Sequence, residues 1–280
     1  MKILRAALLL LLCSAHLAQA AAPARVVGLG GPVTEIVYAL GAGDRLVGAD
    51  ASSIYPPEAL QLPKVGYYRS FSIEGVASLK PDLVLASDQS GPPQALDQLR
   101  KLGSKVVQLP SEPTLAALDQ RIMGVARALE IEACGAALVR ALHAELQALA
   151  PGARKPRVLV ISSHTGKLQG AGDATAAAAM LKLLGATNVL ASQQGYKPLS
   201  AEAALALRPE VIVTGSMSVA ASGSLDAFLA QPGLAATPAA KSRRVVVLED
   251  LLLLGLGPRL PQALRQLEAG MAGISGGGGR

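Results

Sequence analysis

One stretch of this chain occurs twice, with the same order of residue types and the same internal spacing. The first copy runs from Ser72 to Leu85 and the second from Ser200 to Val213. Each copy predicts a short helix with a serine cap and a glutamate in its first turn, followed by a basic-Pro-acidic turn and a β-branched apolar strand. This duplication predicts an α/β fold with two similar α/β lobes.

Two further features precede each copy. Gly66-Tyr67 and Gly195-Tyr196 are matching Gly-Tyr pairs, and further upstream each half has a predicted helix that ends in Leu-Gly-Ala. Two independent βα units with common turn chemistry would explain either copy alone, but the matched order of three elements favours two related lobes. Ligands of such proteins usually lie in the cleft between the lobes.

The first residues have the features of an export signal. Lys2 and Arg5 give the first residues a positive charge, and a short apolar run follows. Ala18-Gln19-Ala20 is typical of a signal-peptide cleavage site. The apolar run is too short to span a bilayer. We therefore expect residues 1–22 to be a signal peptide and the mature protein to reach the periplasm without spanning the membrane.

Turn residues and apolar spacing divide the rest of the chain. Apolar residues recur at helical spacing from Leu115 to Leu146, which predicts one long helix or two nearly continuous ones. In the first lobe, Thr34 is predicted to cap a helix that follows the first strand. The predicted segments are an N-terminal α/β lobe (23–112), a long connecting helix (113–152), a C-terminal α/β lobe (153–272) and a glycine-rich, disordered tail (273–280).

Composition narrows the classes of function. The formal net charge of +6 favours an anionic cargo or surface. The lysines and arginines are scattered and lack aromatic stacking partners, which argues against nucleic acid as a partner. Removal of the signal would leave Cys134 as the single cysteine, so no internal disulfide is expected. Its setting among Ala and Leu at helical spacing predicts a buried thiol.

Four motifs carry a resemblance to a known family. They are Gly66-Tyr67-x-Arg69-x-x-Ser72-x-Glu74-Gly75, Ser163-His164, Gly195-Tyr196-Lys197-Pro198-Leu199-Ser200 and Leu254-Gly255-Leu256-Gly257-Pro258-Arg259. With the two lobes, the chain resembles the periplasmic binding proteins of bacterial haem importers, within the family that also binds cobalamin and ferric siderophores. The resemblance implies a monomer that captures haem as a transported ligand and delivers it to the permease dimer of an ABC importer, whose cytoplasmic ATPase supplies the energy.

Tyr67 is the residue that this resemblance makes the haem iron ligand. A tyrosine phenolate is one of the few protein ligands suited to ferric haem. A free phenol titrates near pH 10, so ionisation at neutral pH needs help from the ferric ion and from a nearby cation. Arg69, two residues on, is expected to hydrogen-bond the phenolate and lower its pKa. Tyr68 either stacks on the haem ring or faces solvent, and Tyr196 lines the cleft.

The second lobe offers a further ligand candidate in His164. It follows the first predicted strand of that lobe and would serve either as a second ligand to the same iron or as the ligand of a second, stacked haem. A hydrogen-bonded loop histidine explains the residue equally well. The haem propionates require cations at the cleft rim. The candidates are Arg69, Arg259, Lys197, Lys167 and Lys64.

Glu74 and Glu202 hold matching places in the two repeats. In the resembled family such glutamates meet arginines of the permease, one from each lobe. Two acidic residues at equivalent positions suit a protein that docks onto a partner with two-fold symmetry. Favourable placement in the first turn of a helix explains each glutamate alone, but it does not require the same residue at the same offset in both copies.

Two alternatives to haem capture remain at this stage. The first keeps the fold and changes the cargo to a ferric siderophore or cobalamin, which would not need Tyr67 to ligate iron. The second is an exported enzyme with a cleft between its lobes. No nucleophile–base motif is present in the sequence, which argues against an enzyme.

Overall fold

A computed structural model describes residues 22–149, 155–163 and 167–272 of the chain. The predicted signal peptide up to residue 21, the glycine-rich tail 273–280 and His164 lie outside the described residues. Within the described ranges, none of the helices combines the length and the apolar character needed to cross a bilayer.

The first lobe is built on a parallel sheet of four strands in the order β2-β1-β5-β6. A separate two-stranded hairpin, β3-β4, lies outside this sheet. The elements are β1 (Val26–Leu29), α1 (Gly31–Ala39), β2 (Leu46–Ala49), β3 (Gly66–Tyr67), β4 (Ser70–Phe71), α2 (Ile73–Ser78), β5 (Leu83–Ser87), α3 (Pro93–Lys101) and β6 (Lys105–Leu109).

The second lobe contains a mixed sheet in the order β10-β8-β7-β11-β12, with β9 paired to β7. The β7, β11 and β12 strands are parallel. At one edge β8 pairs antiparallel with β7, and β10 pairs antiparallel with β8. The elements are β7 (Arg157–Ser162), β8 (Gln169–Ala171), α6 (Ala176–Leu183), β9 (Thr187–Asn188), β10 (Tyr196–Pro198), α7 (Ala201–Ala206), β11 (Val211–Gly215), α8 (Ser216–Ala221), α9 (Leu225–Leu229), α10 (Pro238–Lys241), β12 (Val245–Leu248), α11 (Asp250–Leu254) and α12 (Leu260–Ala272). The α/β architecture with two similar lobes is therefore confirmed.

The predicted connecting helix is two helices that fold back on each other, α4 (Leu115–Ala128) and α5 (Glu132–Gln147). His143 on α5 bonds Asp119 on α4 at 2.8 Å, so the two helices run antiparallel. Glu130 adopts a positive φ of 60° in the turn between them. One long helix was the wrong alternative: two helices form with a short break between them, and the backbone at Glu130 leaves the helical region and reverses the chain there.

The duplicated helix caps form as the sequence predicts. Ser72 Oγ accepts a hydrogen bond from the Gly75 N–H at 2.9 Å, and Ser200 Oγ accepts one from the Ala203 N–H at 3.2 Å. Each serine thereby satisfies one of the free amide groups at the start of its helix. The two helices begin the same way in both lobes.

The turn after each of these helices also repeats in detail. Lys80 and Arg208 precede the two matching prolines, and both have a positive φ, at 47° and 44°. In the first lobe, the Arg25 N–H donates to Asp82 at 3.1 Å and its guanidinium donates to the Leu79 carbonyl at 2.6 Å. The same contacts recur in the second lobe between Arg157, Glu210 and Leu207.

The lobes and the helical hairpin share one apolar core. Val33 of the first lobe, Ile122 of α4 and Leu252 of the second lobe are buried in the same cluster. Burial of these side chains away from water stabilises the contact between the lobes as well as each lobe itself. The cleft therefore lies between two bodies that are already packed together at one end.

Two local expectations were wrong. Thr34 does not cap the first helix: α1 begins at Gly31, with Pro32 in its first turn, and Thr34 is buried within the helix, where its hydroxyl accepts from Ser53 at 2.8 Å. Proline suits the first turn because its missing N–H would be unpaired there. Cys134 is exposed rather than buried, because the adjacent Gly135 is the residue that faces α4.

Candidate ligand-binding cleft

A cavity of about 860 Å³ lies between the two lobes. Tyr67, Arg69 and Gln89 line it from the first lobe, and Tyr196 and Met217 line it from the second. This volume falls in the range of protein sites for small ligands and cofactors. The cavity brings together the two tyrosines that follow the matching glycines of the repeat.

Tyr67 is presented to the cleft by a tight local structure. Gly66 has a φ of 97°, which glycine adopts without steric cost, and its carbonyl accepts from the Ala51 N–H at 2.7 Å. The Tyr67 side chain is 46% exposed, and its ring lies 4.6 Å from the ring of Tyr68, tilted by 59°. Tyr67 is therefore a partly exposed side chain of the cavity wall.

The phenol of Tyr67 is not ionised in the free protein at neutral pH. Partial burial, together with a hydrogen bond to the neighbouring Tyr68 hydroxyl, raises the pKa of Tyr67 to about 12. The positive charge of Arg69 acts in the opposite direction and offsets part of this rise. A metal ion that binds Tyr67 must therefore displace its proton, with Arg69 as the nearby cation that favours the anion.

Arg69 is held in place by neighbours other than Tyr67. Its Nε donates to the Tyr68 hydroxyl at 2.9 Å, and its Nη2 donates to Gln89 Oε1. Gln89 in turn donates from Nε2 to Ser111 Oγ at 2.9 Å. The direct hydrogen bond expected between Arg69 and Tyr67 is absent among these contacts, because Tyr68 receives it.

Asp50 anchors the loop that carries these residues, and no sequence motif marks it. The carboxylate is fully buried and accepts from the Gly30 N–H at 2.9 Å, the Ser52 hydroxyl at 2.6 Å and the Tyr68 N–H at 3.2 Å. A buried carboxylate is tolerated when several donors satisfy it. Asp50 thus fixes the loop before Tyr67 to the end of the sheet.

Tyr196 stands in the equivalent place of the second lobe, on β10 after Gly195, whose φ is 68°. Burial raises the pKa of its phenol to about 12, and the carboxylate of Asp250 contributes to the rise. Asp250 itself accepts from the Ser216 hydroxyl at 3.0 Å and the Met217 N–H at 2.7 Å. The matching tyrosines therefore differ in charge environment: Tyr67 lies near a cation and Tyr196 near an anion.

Arg259, an expected propionate partner, is engaged elsewhere. Its guanidinium donates to Glu35 at 3.1 Å and to Glu249 at 2.9 Å, and it lies 3.4 Å from the centre of the Tyr55 ring. It is absent from the residues that line the cavity in the described part of the chain. Both carboxylates accept from Nη2 and a ring face covers the guanidinium, while Nε is buried without a hydrogen-bond partner among the described residues. Arg259 therefore joins the lobes instead of facing the cavity.

Lys167 and Lys197 are both exposed, and Lys64 donates to the Ser53 and Ala59 carbonyls. None of the three is among the described residues that line the cavity. Arg69 is therefore the one predicted propionate partner that the structure brings to the cavity wall. A second cation reaches this wall, Arg121, which the sequence reasoning overlooked. Its position on the inner face of α4, between Leu118 and Ile122, was the available signal, since a charge within an apolar stripe is unusual.

Glu74 and Glu202 are both exposed in the first turns of α2 and α7. The Ser72 hydroxyl donates to Glu74 at 3.3 Å. The backbone N–H of Glu202 and the Ser200 hydroxyl lower the pKa of Glu202. Both glutamates thus present carboxylate oxygens to the surface from equivalent points of the two lobes.

Comparisons with known proteins cover both lobes. Residues 26–251 match the sequence profile described as periplasmic binding protein. Among solved structures, the periplasmic heme-binding protein BhuT in complex with two hemes is 42% identical with a TM-score of 0.82, covering 89% of this chain and 98% of that one. The apo form of the periplasmic heme-binding protein RhuT from Roseiflexus sp. RS-1 is 39% identical with a TM-score of 0.85, covering 90% and 98%.

A relative found by sequence comparison is named for a different ligand. The vitamin B12-binding protein of Photorhabdus laumondii is 33% identical over 212 residues, which is 74% of this chain and 76% of that protein. The comparisons thus agree on a ligand-binding protein with this fold and differ on the ligand.

Proposed function

This chain belongs to the periplasmic binding protein family, and we propose that it captures haem in the periplasm and delivers it to the permease of an ABC haem importer. Members of this family and the structural neighbours bind substrates rather than convert them, so the exported-enzyme alternative is wrong. The choice of haem within the family is the proposal.

Tyr67 is the observation that carries this choice. It presents a phenol oxygen at the edge of an inter-lobe cavity, with the guanidinium of Arg69 close enough to favour its ionised form. Ferric haem pairs an iron that accepts a phenolate with a flat apolar ring. The apolar side chains of Met217, Leu251 and Leu254 on the opposite wall suit the face of such a ring.

The named neighbours support haem as the cargo. BhuT and RhuT are both described as periplasmic heme-binding proteins, and each matches nearly all of the described chain at about two-fifths identity. Because BhuT was solved with two hemes, a second, stacked haem held by His164 also belongs to this proposal.

Cobalamin is the second candidate, because a sequence relative is named as a vitamin B12-binding protein. Neither cobalamin nor a ferric siderophore needs a ligand from the protein to its metal. For either cargo Tyr67 would contribute packing alone, and its hydroxyl would be dispensable.

A titration of the purified mature protein with hemin separates these cargoes. We expect a defined ferric charge-transfer spectrum at stoichiometric hemin, and no change in the spectrum or thermal stability on addition of cyanocobalamin or a ferric siderophore. Saturable binding of cyanocobalamin without a hemin complex would overturn the proposal.

A further inference from the structure

Arg121 is a buried cation at the end of the cleft where the lobes meet. It lies on α4, and its side chain is 4% exposed although the residue lines the cavity. Its helical neighbours on the same face, Leu118, Ile122 and Val125, are fully buried in the shared core. A guanidinium in such a setting requires a specific reason, because burial of a charge is costly.

Backbone carbonyls of both lobes satisfy only part of this side chain. Nη1 donates to the Pro110 carbonyl of the first lobe at 3.0 Å, and Nη2 donates to the Leu256 carbonyl of the second at 2.7 Å. Nε is buried without a hydrogen-bond partner among the described residues. An arginine has five N–H donors, so these two bonds leave donor capacity for a ligand.

The charge of Arg121 also lacks a directly paired carboxylate. Arg121 takes part in none of the ion pairs formed within the described ranges. Asp88, Glu35 and Glu112 favour its charged form from a greater distance, whereas burial lowers its pKa to about 10. The guanidinium is therefore positive at neutral pH and stands in a ligand cavity with an incomplete set of partners.

We propose that Arg121 binds a carboxylate of the ligand at the inner end of the cleft. The proposal rests on the proposed function, because in haem the carboxylates are the two propionates. Arg121 thereby orients the ligand, because one propionate points inwards to Arg121 while Tyr67 holds the iron. An arginine–carboxylate pair in a desolvated site is a strong, directional interaction. A ligand with neutral amide arms, such as cobalamin, would gain less from this cation.

A purely structural role for Arg121 makes a different prediction. If its task is only to join the Pro110 and Leu256 carbonyls, its loss would weaken every ligand alike by loosening the lobes. If it binds a carboxylate, its loss weakens only ligands that have one. Two porphyrins with the same iron and ring, and with or without free carboxylates, distinguish the two roles.

The experiment measures dissociation constants of hemin and of hemin dimethyl ester at the same detergent concentration. For the wild-type protein we expect hemin to bind at least about tenfold more tightly, the usual effect of a hydrogen bond to a charged group. In Arg121→Gln this preference should fall by about tenfold, with the affinity for the diester unchanged. Arg121→Lys, which keeps the charge, should retain part of the preference and also serves if Arg121→Gln folds poorly.

The matched control is Arg127→Gln, since Arg127 is an exposed arginine on the same helix. It should keep the wild-type preference. Equal affinities of wild type for the two porphyrins, or an equal loss for both in Arg121→Gln, would overturn the assignment of Arg121 while leaving haem capture intact. Failure of the wild-type protein to bind either porphyrin is a separate result, and it would overturn the proposed function itself.

Discussion

Arg259 in the second lobe donates from Nη2 to Glu35 Oε2 in the first lobe at 3.1 Å. The side chains are 14% and 4% exposed, so the pair is largely removed from water. Glu249 accepts from the same nitrogen, and the ring of Tyr55 covers the guanidinium. The contact joins the lobes beside their shared apolar core, behind the cleft that the ligand enters.

We expect Arg259→Met to lower the free energy of unfolding by about 3–5 kcal/mol, because it leaves Glu35 buried without its main partner. The exposed pair of Arg243 with Asp226 provides the matched control, and Arg243→Met should cost at most about 1 kcal/mol. Urea denaturation of both variants measures the difference. Equal midpoints for the two variants would contradict the role assigned to Arg259. The double variant Arg259→Met, Glu35→Gln should recover part of the loss.

Tyr67→Phe keeps the ring and removes the ligand oxygen. We expect the ferric haem spectrum to change and the affinity to fall by more than the roughly 10–100-fold that loss of an outer partner of a metal ligand costs. Tyr38→Phe, in a partly buried tyrosine remote from the cavity lining, should behave like wild type. An unchanged spectrum and dissociation rate in Tyr67→Phe would show that another residue ligates the iron.

Arg69→Gln should make haem release more sensitive to acid. The positive charge of Arg69 lowers the pKa of Tyr67, so its removal raises that pKa and strengthens the competition of protons with iron at any given pH. The midpoint of haem release should therefore move to a higher pH than in wild type. An acid titration of the haem spectrum measures the shift, with Lys197→Gln as control. Superimposable curves would mean that Arg69 does not tune the ligand.

Glu74→Ala combined with Glu202→Ala should leave haem binding unchanged and reduce haem delivery to the importer. Charge pairs at such an interface contribute about 2–5 kcal/mol when buried and less at a rim. Glu132→Ala is a matched control, because Glu132 is also an exposed glutamate in the first turn of a helix. Normal uptake of haem by cells with the double variant would reduce both residues to a local role in their helices.

The role of His164 was inferred from the sequence alone, and it is tested by the number of haems that the protein binds. If it binds a second, stacked haem, wild type should take up two equivalents of hemin and His164→Ala one, with Tyr67 filled first. If both proteins bind one equivalent and differ in spectrum, His164 ligates the same iron. Identical spectra at one equivalent would leave His164 without a role in binding.

The duplication predicted the architecture because helix caps and proline turns are local signals. Ser72 and Ser200 cap their helices as expected, and the strands that follow them are interior strands of the two sheets. The reversal at Glu130 was not predictable in the same way. No glycine or proline marks it, and the apolar spacing of α4 and α5 is equally compatible with one helix and with two that pack together.

The site residues that are close in sequence were predicted correctly as part of the cavity wall. Those whose contacts come from distant parts of the chain were missed or misplaced. Tyr67, Tyr68 and Arg69 lie in one short segment and all reach the cavity. Arg259 was assigned to the rim because its loop position was read without Glu35, a contact across 224 residues. Arg121 was missed for the same reason, since its partners Pro110 and Leu256 come from different lobes.

The repeated turn has a consequence for redesign. Arg25 with Asp82, and Arg157 with Glu210, tie the strands together where they begin, whereas the cleft residues Gly30, Asp88 and Asp250 follow strands where they end. The halves are alike where their strands begin, whereas at the cleft end their matching tyrosines, Tyr67 and Tyr196, lie in different surroundings. Loops from another binder can thus be grafted onto the cleft end without disturbing these ties, which makes the chain a scaffold for binding proteins with altered ligands.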